Sequence, residues 1–211
     1  MTASKEHFRT RMIYRFILWV AKSETTDGLW IGVFADGDST YFLGKVRDAL
    51  ELIKNKDTNR YRRVLAEVHR ILIVHRPSVG AYFRVPRRCE LDADFVKAAA
   101  IEEIASAIVH EATHGWLYTR GIDYQPTIRQ RVERICTRQE MLFIKRVLNP
   151  ASPREKLLED LDWQLNLPEE AWTDDALRKR KVDWLVEEGA PRWIIGIVTI
   201  LGRLKAISSR S

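Results

Sequence analysis

The sequence predicts an α+β protein, with a mixed β-sheet and helices in its first half and helices alone in its second. Three observations predict it. Short apolar runs bounded by Gly, Pro and Asp recur up to Asp92. A long Ala-rich stretch of helical period follows, and beyond Thr127 only helical patterns occur. The chain of 211 residues suffices for one large core or two lobes around a cleft. The expected division lies near Gly121, between an α/β unit at 1–121 and a helical unit at 122–211.

The elements follow in order. "RMIYRFILWV" fits a strand or a helix equally. "DGLWIGVFADGD" predicts a short strand closed by Gly-rich turns. Ser39 is the expected N-cap of a helix with an inner stripe of Phe42, Val46, Leu50 and Ile53. Ile71 to Val74 form an apolar run without alternation, which predicts a strand buried on both faces. "GAYFRVPRRCELDADF" reads as the next strand, and Pro86 marks it as an edge or a bulge.

From Lys97 to Gly121 the pattern is one helix, with Ile101, Ile104, Ala105 and Ile108 inward and Gly121 as its C-cap. Thr127 and Gln130 predict a capping box for a helix over 128–148, ended by Asn149-Pro150. Another begins at Ser152-Pro153, and the remainder is helical with breaks near "NLPEE" and "EGAPR". "RKRK" at 178–181 reads as a solvated face, with Asp174 pairing Arg178 and Asp175 pairing Lys179. "PRWIIGIVTILGRLK" reads as core.

Composition narrows the function classes. Hydrophobic residues at 45% and charged residues at 30% exclude a disordered or collagen-like chain. A net charge of +6 favours acidic partners. No Cys/His finger or aromatic–basic RNA motif occurs, so nucleic acid is not the expected partner. Cys89 and Cys136 form no CxxC pair and fit a reducing, cytoplasmic setting, with a single disulfide left open. No apolar run is long enough to span a bilayer, and the N-terminal apolar run is too short, and lacks the cleavage site, for a signal peptide.

The chemistry sits in "IVHEATHGWLY". Residues four apart share one helix face, so His110 and His114 can aim ring nitrogens at one ion. Glu111 lies about 100° round the helix, where it serves as a base and not as a ligand. The expected ion is zinc. A catalytic zinc site needs a third protein ligand, and no histidine follows His114. Glu133, in the first turns of the next helix, is the expected third ligand. Glu140 is a rival ligand or an outer partner, and Asp123 a weaker rival. Cys136, three residues after Glu133, reads as a packed thiol, with a place near the ion as the alternative.

His110, Glu111, His114 and Glu133 resemble the zinc signature of gluzincin metallopeptidases, HExxH–x18–E, at the spacing of the aminopeptidase branch. The resemblance covers roughly residues 80–148. It implies a zincin-like fold, with the active-site helix between an N-terminal sheet subdomain and a helical C-terminal subdomain. It also implies a zinc-dependent hydrolase acting on a peptide or protein substrate, with Glu111 as general base. No Tyr or His follows Glu133. Tyr124 is therefore the expected stabiliser of the oxyanion, with Tyr118 and His75 as alternatives. "RCELDAD" is the expected strand for binding extended peptide by strand addition. The competing reading is a non-catalytic zincin-fold binding or regulatory protein, associated with nucleic acid or an acidic partner.

Overall fold

A computed structural model describes residues 20–147 and 155–191. Most of "RMIYRFILWV", the Asn149-Pro150 stop, the Ser152-Pro153 start and nearly all of the apolar C-terminal stretch lie outside the described residues. The described part is α+β. Its one sheet holds β1 (Lys22–Thr26), β2 (Leu29–Phe34), β3 (Arg70–Val74), β4 (Gly80–Phe83) and β5 (Arg88–Asp92). Their order is β1-β2-β3-β5-β4. The two inner pairings, β2 with β3 and β3 with β5, are parallel, while β1 and β4 run antiparallel at the two edges.

The parallel β2–β3 step requires a crossover. It is made by α1 (Ser39–Lys56) and α2 (Thr58–Glu67). The stripe Phe42, Val46, Leu50 and Ile53 is buried on α1 as its spacing predicts. The N-cap is Asp38, one residue before the expected Ser39, because the Asp38 carboxylate accepts from the Thr40 N–H at 2.8 Å. The sequence reading passed over β1 and α2. The strand segment "KSETT" is polar at a sheet edge, and α2 follows α1 with one residue between.

That one residue is Asp57, the C-cap of α1 and N-cap of α2. Its carboxylate accepts from the Arg60 N–H, the Arg60 guanidinium and the Arg146 guanidinium while 3% exposed. Burial opposes its charge, but these donors outweigh burial and hold its pKa below the ordinary value. A depressed carboxylate contributes stability above its unfolded pKa and loses it as pH falls through the folded one. Asp57→Ala is therefore expected to cost about 3 kcal/mol at neutral pH. The gap between wild type and variant should close below about pH 4. Denaturant melts at pH 7 and pH 3 check this, and an equal gap at both would refute it.

β3 is buried on both faces, as its unbroken apolar run predicts: Ile71, Leu72 and Ile73 are at most 1% exposed. Each such side chain contributes roughly 1.5–3 kcal/mol. Ile71 and Ile73 join Ile31, Val33, Cys89 and Leu91 in the core under the helices. On the other face Gly32 pairs with Leu72, and the Trp30 ring lies over Gly32 where a Cβ would stand 2.1 Å from Cη2.

"GAYFRVPRRCELDADF" is two strands, not one. Arg84 to Arg87 form the turn of the hairpin β4–β5, with Arg87 at φ 55° and Pro86 after a cis peptide bond. The expected Lys97–Gly121 helix is also split. α3 (Ala93–Ala98) ends where Ala99 and Ala100 turn extended, and α4 (Ile101–Tyr118) begins there. The Glu103 carboxylate reaches back to the Ala100 N–H to hold that start. Ile104, Ala105 and Ile108 are fully buried. Gly121, at φ 78°, closes the end of α4, and the next N–H, of Ile122, bonds to Leu117 C=O.

α5 (Arg129–Val147), α6 (Glu155–Leu165), a 3-10 turn (Glu169–Trp172) and α7 (Asp174–Glu187) complete the described chain. Gln130 makes no capping box; its side-chain amide instead donates to Leu167 C=O. Asp174 pairs with Arg129, and Arg178 with Asp175, in place of the expected Asp174–Arg178 and Asp175–Lys179 pairs. The main apolar cluster includes Phe143, Ile144 and Leu161 together with the sheet, so one core runs across residue 121. No helix among the described residues is long and apolar enough to cross a membrane.

Candidate metal centre

α4 carries the histidines because its other faces are needed for packing. Against α1 and the sheet it presents Ile104, Ala105 and Ile108. Against α5 it presents Ser106, His110, His114 and Leu117. The partners on α5 run in the opposite sense, from Glu140 against Ser106 and His110 to Glu133 against His114 and Val132 against Leu117. The two helices are thus antiparallel, and one turn of α4 faces one turn of α5.

This register brings three donor groups together. The Nε2 atoms of His110 and His114 lie 3.2 Å apart. Glu133 Oε2 lies 3.3 Å from His110 Nε2, and Glu133 Oε1 lies 3.7 Å from His114 Nε2. Ligands at about 2.0–2.1 Å from a tetrahedral ion stand about 3.3–3.4 Å from one another. The three separations match a single small cation. Lone-pair atoms this close need positive charge between them, either a proton on His110 or a cation shared by all three.

The surroundings orient this set. His110 Nδ1 lies 3.0 Å from Glu140 Oε2, and Ser106 Oγ donates to Glu140 Oε1 at 2.9 Å. Glu140 thus fixes the ring and directs Nε2 inward, the role of an outer partner and not of a ligand. Tyr124 stacks edge-on against His114, with ring centres 5.5 Å apart, and its hydroxyl interacts electrostatically with Glu133. The Arg129 guanidinium lies 5.3 Å over the Tyr124 ring and ties it to the Trp172 carbonyl and Asp174.

Electrostatics follow burial and these contacts. Burial opposes charge on His110, but hydrogen bonds to Glu133 and Glu140 outweigh it and hold the pKa well above the ordinary value. Burial takes His114 down to about 4. Burial would raise Glu133, yet its hydrogen bond to His110 and the two imidazoles hold it at about 2. Burial, then the neighbouring Glu133, pushes the Tyr124 hydroxyl up. Glu133 is therefore an anion ready to meet a cation.

Cys136 also lies close, with His110 and His114 atoms and its thiol within 4.8 Å of one another, so this trio could hold a metal as well. We favour Glu133 on distance, because its two oxygens lie 3.3 Å and 3.7 Å from the histidine Nε2 atoms. Both cysteines are free and buried.

Glu111 lines the same cleft as the trio. It is 6% exposed and its Oε2 has no hydrogen-bond partner. Burial raises its pKa to about 7. Gly80, at the start of β4, makes room for it: a Cβ there would stand 2.7 Å from Glu111 Oε1. A buried carboxylate with one oxygen unpaired and a pKa near neutrality has the properties of a general base.

The other candidates fall differently. Asp123 is taken by Arg84 at 2.7 Å and by the Tyr124 N–H at 2.8 Å, so it does not serve as a ligand. His75 pairs with Asp94 at 3.3 Å and lies outside the cleft lining, while Tyr118 lines it. β5, the strand of "RCELDAD", is interior, between β3 and β4, so strand addition there is blocked. Among the described residues the edge strand on that side is β4. The sequence reading missed Gly80, Ser106 and Arg129. Ser106 was findable, one turn before His110 on the same face; Gly80 and Arg129 meet the site only through the tertiary fold. No protein-family model matches the chain, and no curated protein or solved structure shows detectable similarity to it.

Proposed function

We propose that this protein is a zinc-dependent hydrolase, a zincin-like metallopeptidase of the gluzincin kind. The convergence of His110 Nε2, His114 Nε2 and the Glu133 carboxylate within 3.2–3.7 Å carries the reading. A purely structural metal site closes its coordination and has no use for a base. Here Glu111, one of whose oxygens has no hydrogen-bond partner, lines the same cleft as the trio, which favours an enzyme over a binding protein. The mixed sheet with an antiparallel edge strand beside the histidine helix supports the zincin-like assignment.

When bound, zinc supplies Lewis acidity, lowering the pKa of a water and polarising a carbonyl. The chain's residues do the rest. His110, His114 and Glu133 hold the ion, and Glu140 orients His110. Glu111 accepts the proton of the attacking water and delivers it to the leaving amine nitrogen. Tyr124, whose hydroxyl sits against Glu133, donates to the developing oxyanion. The substrate is a peptide held in extended form along the open edge of β4. Two free, buried thiols support a reducing, cytoplasmic setting.

The test is hydrolysis of a denatured protein substrate by the full chain. Activity should vanish with a chelator and return when zinc is added back. Activity that survives complete removal of metal would refute the reading.

A further inference from the structure

The cleft that His110, Glu111, His114 and Glu133 line has a volume of about 590 Å³ and extends along β4 to Phe83. That is within the roughly 300–1,000 Å³ of sites that enclose small ligands. Beside those four residues it is lined by Phe83, Tyr118, Ile122, Tyr124, Trp172 and Leu177, with Arg76, Arg84, Asp123 and Arg180 among its polar residues. The apolar and aromatic ones come from the end of β4, the end of α4, the loop beyond it, the 3-10 turn and α7. Phe83, Tyr118, Ile122 and Tyr124 are 37–41% exposed. Single exposed hydrophobic residues need no explanation, but several converging on one cavity beside a reactive site do. Its guanidiniums are engaged elsewhere: Arg84 with Asp123 at 2.7 Å, Arg180 with the Ala171 carbonyl at 2.6 Å and over the Trp172 ring, and Arg76 with Glu90 at 3.6 Å.

We propose that this cavity is the specificity pocket for a bulky apolar side chain on the N-terminal side of the bond that is cut. The proposal rests on the peptidase reading above and names its substrate class. Direction follows from β4. The strand runs from Gly80, beside Glu111, to Phe83, at the cavity. Its outer edge pairs with no described strand. Antiparallel pairing is the more stable per residue. A peptide added in that sense runs from Phe83 towards Gly80, so residues entering the cavity precede the bond lying over Glu111. Ordering such a side chain between five separate segments removes its apolar surface from water, which is the source of the selectivity.

The experiment is digestion of a mixed peptide library by zinc-loaded full-length protein, with cleavage sites read by mass spectrometry and Glu111→Gln run in parallel. Expected is enrichment of Phe, Tyr, Trp or Leu within two residues before the cut. The kcat/KM for a Phe-containing peptide should exceed that of its Ala counterpart roughly tenfold or more. In Ile122→Lys, a surface-loop change, and in Phe83→Ala, that ratio should fall towards one; circular dichroism verifies that both variants fold. Cleavage that Glu111→Gln abolishes but that lacks this enrichment, or places it after the cut, overturns the pocket and leaves the hydrolase standing. Absence of any cleavage that depends on Glu111 overturns the hydrolase reading, and the pocket with it.

Discussion

Glu133→Ala is expected to strip the protein of its metal. Wild type should carry about one zinc per chain by elemental analysis, and the variant well under half of that after dialysis. The argument is geometric. Glu133 supplies the only carboxylate within 3.7 Å of both histidine Nε2 atoms among the described residues. Losing one hydrogen-bond partner of a ligand costs roughly 10–100-fold in metal affinity. Losing an anionic ligand costs more, because charge neutralisation goes with it. Glu133→Ala also removes a buried charged side chain, 9% exposed, so a thermal melt must accompany the metal assay. A folded Glu133→Ala protein that holds zinc as tightly as wild type would move the third ligand to Cys136, the other donor nearby.

Glu111→Gln should keep the metal and lose the chemistry. The amide fills the same volume beside Gly80, so the fold and the ligand trio remain. It cannot accept a proton, and general-base loss costs roughly 10²–10⁴-fold in rate. The pH profile gives a second readout. Burial sets Glu111 at about 7, and a divalent cation beside it shifts that value downward. The protonated acid cannot act as base, so wild-type kcat/KM should fall on the acid side of a limb at or below pH 7. The residual rate of Glu111→Gln should lack that limb. Equal rates for wild type and variant would remove Glu111 from the mechanism.

These two outcomes depend on how much of the site was legible in the chain. The histidine pair and its base were, because helical spacing is local: residues 110, 111 and 114 are fixed relative to one another by 3.6 residues per turn. Glu133 was reachable by counting a helix, a reversal and a return. The division of labour between Glu133 and Glu140 was not. Both are buried on α5, 8–9% exposed and two turns apart, and both meet His110. Only the antiparallel register of α5 on α4 puts one against Nε2 and the other against Nδ1.

The sheet shows the same boundary. The unbroken run Ile71–Val74 announced a strand buried on both faces, and it is one. The polar strand Lys22–Thr26 gave no such signal, because an edge strand exposes one face and earns no apolar pattern. Pro86 pointed to an edge, yet it stands in the turn between the edge strand β4 and the interior strand β5. Strand order is a non-local property, set by which apolar faces can be covered together, and no local period encodes it.

By itself, then, the sequence determined an α+β chain whose histidine helix presents two imidazoles on one face and a carboxylate beside them. Spacing along a helix is decided within a few residues, by backbone geometry alone. The tertiary structure decided which carboxylate faces the two Nε2 atoms, that the Tyr124 ring stands against His114, that Gly80 makes room for Glu111 and that β4 is an edge strand among the described residues. Those are contacts between segments tens of residues apart, and they arise only when separate apolar faces are buried in one core.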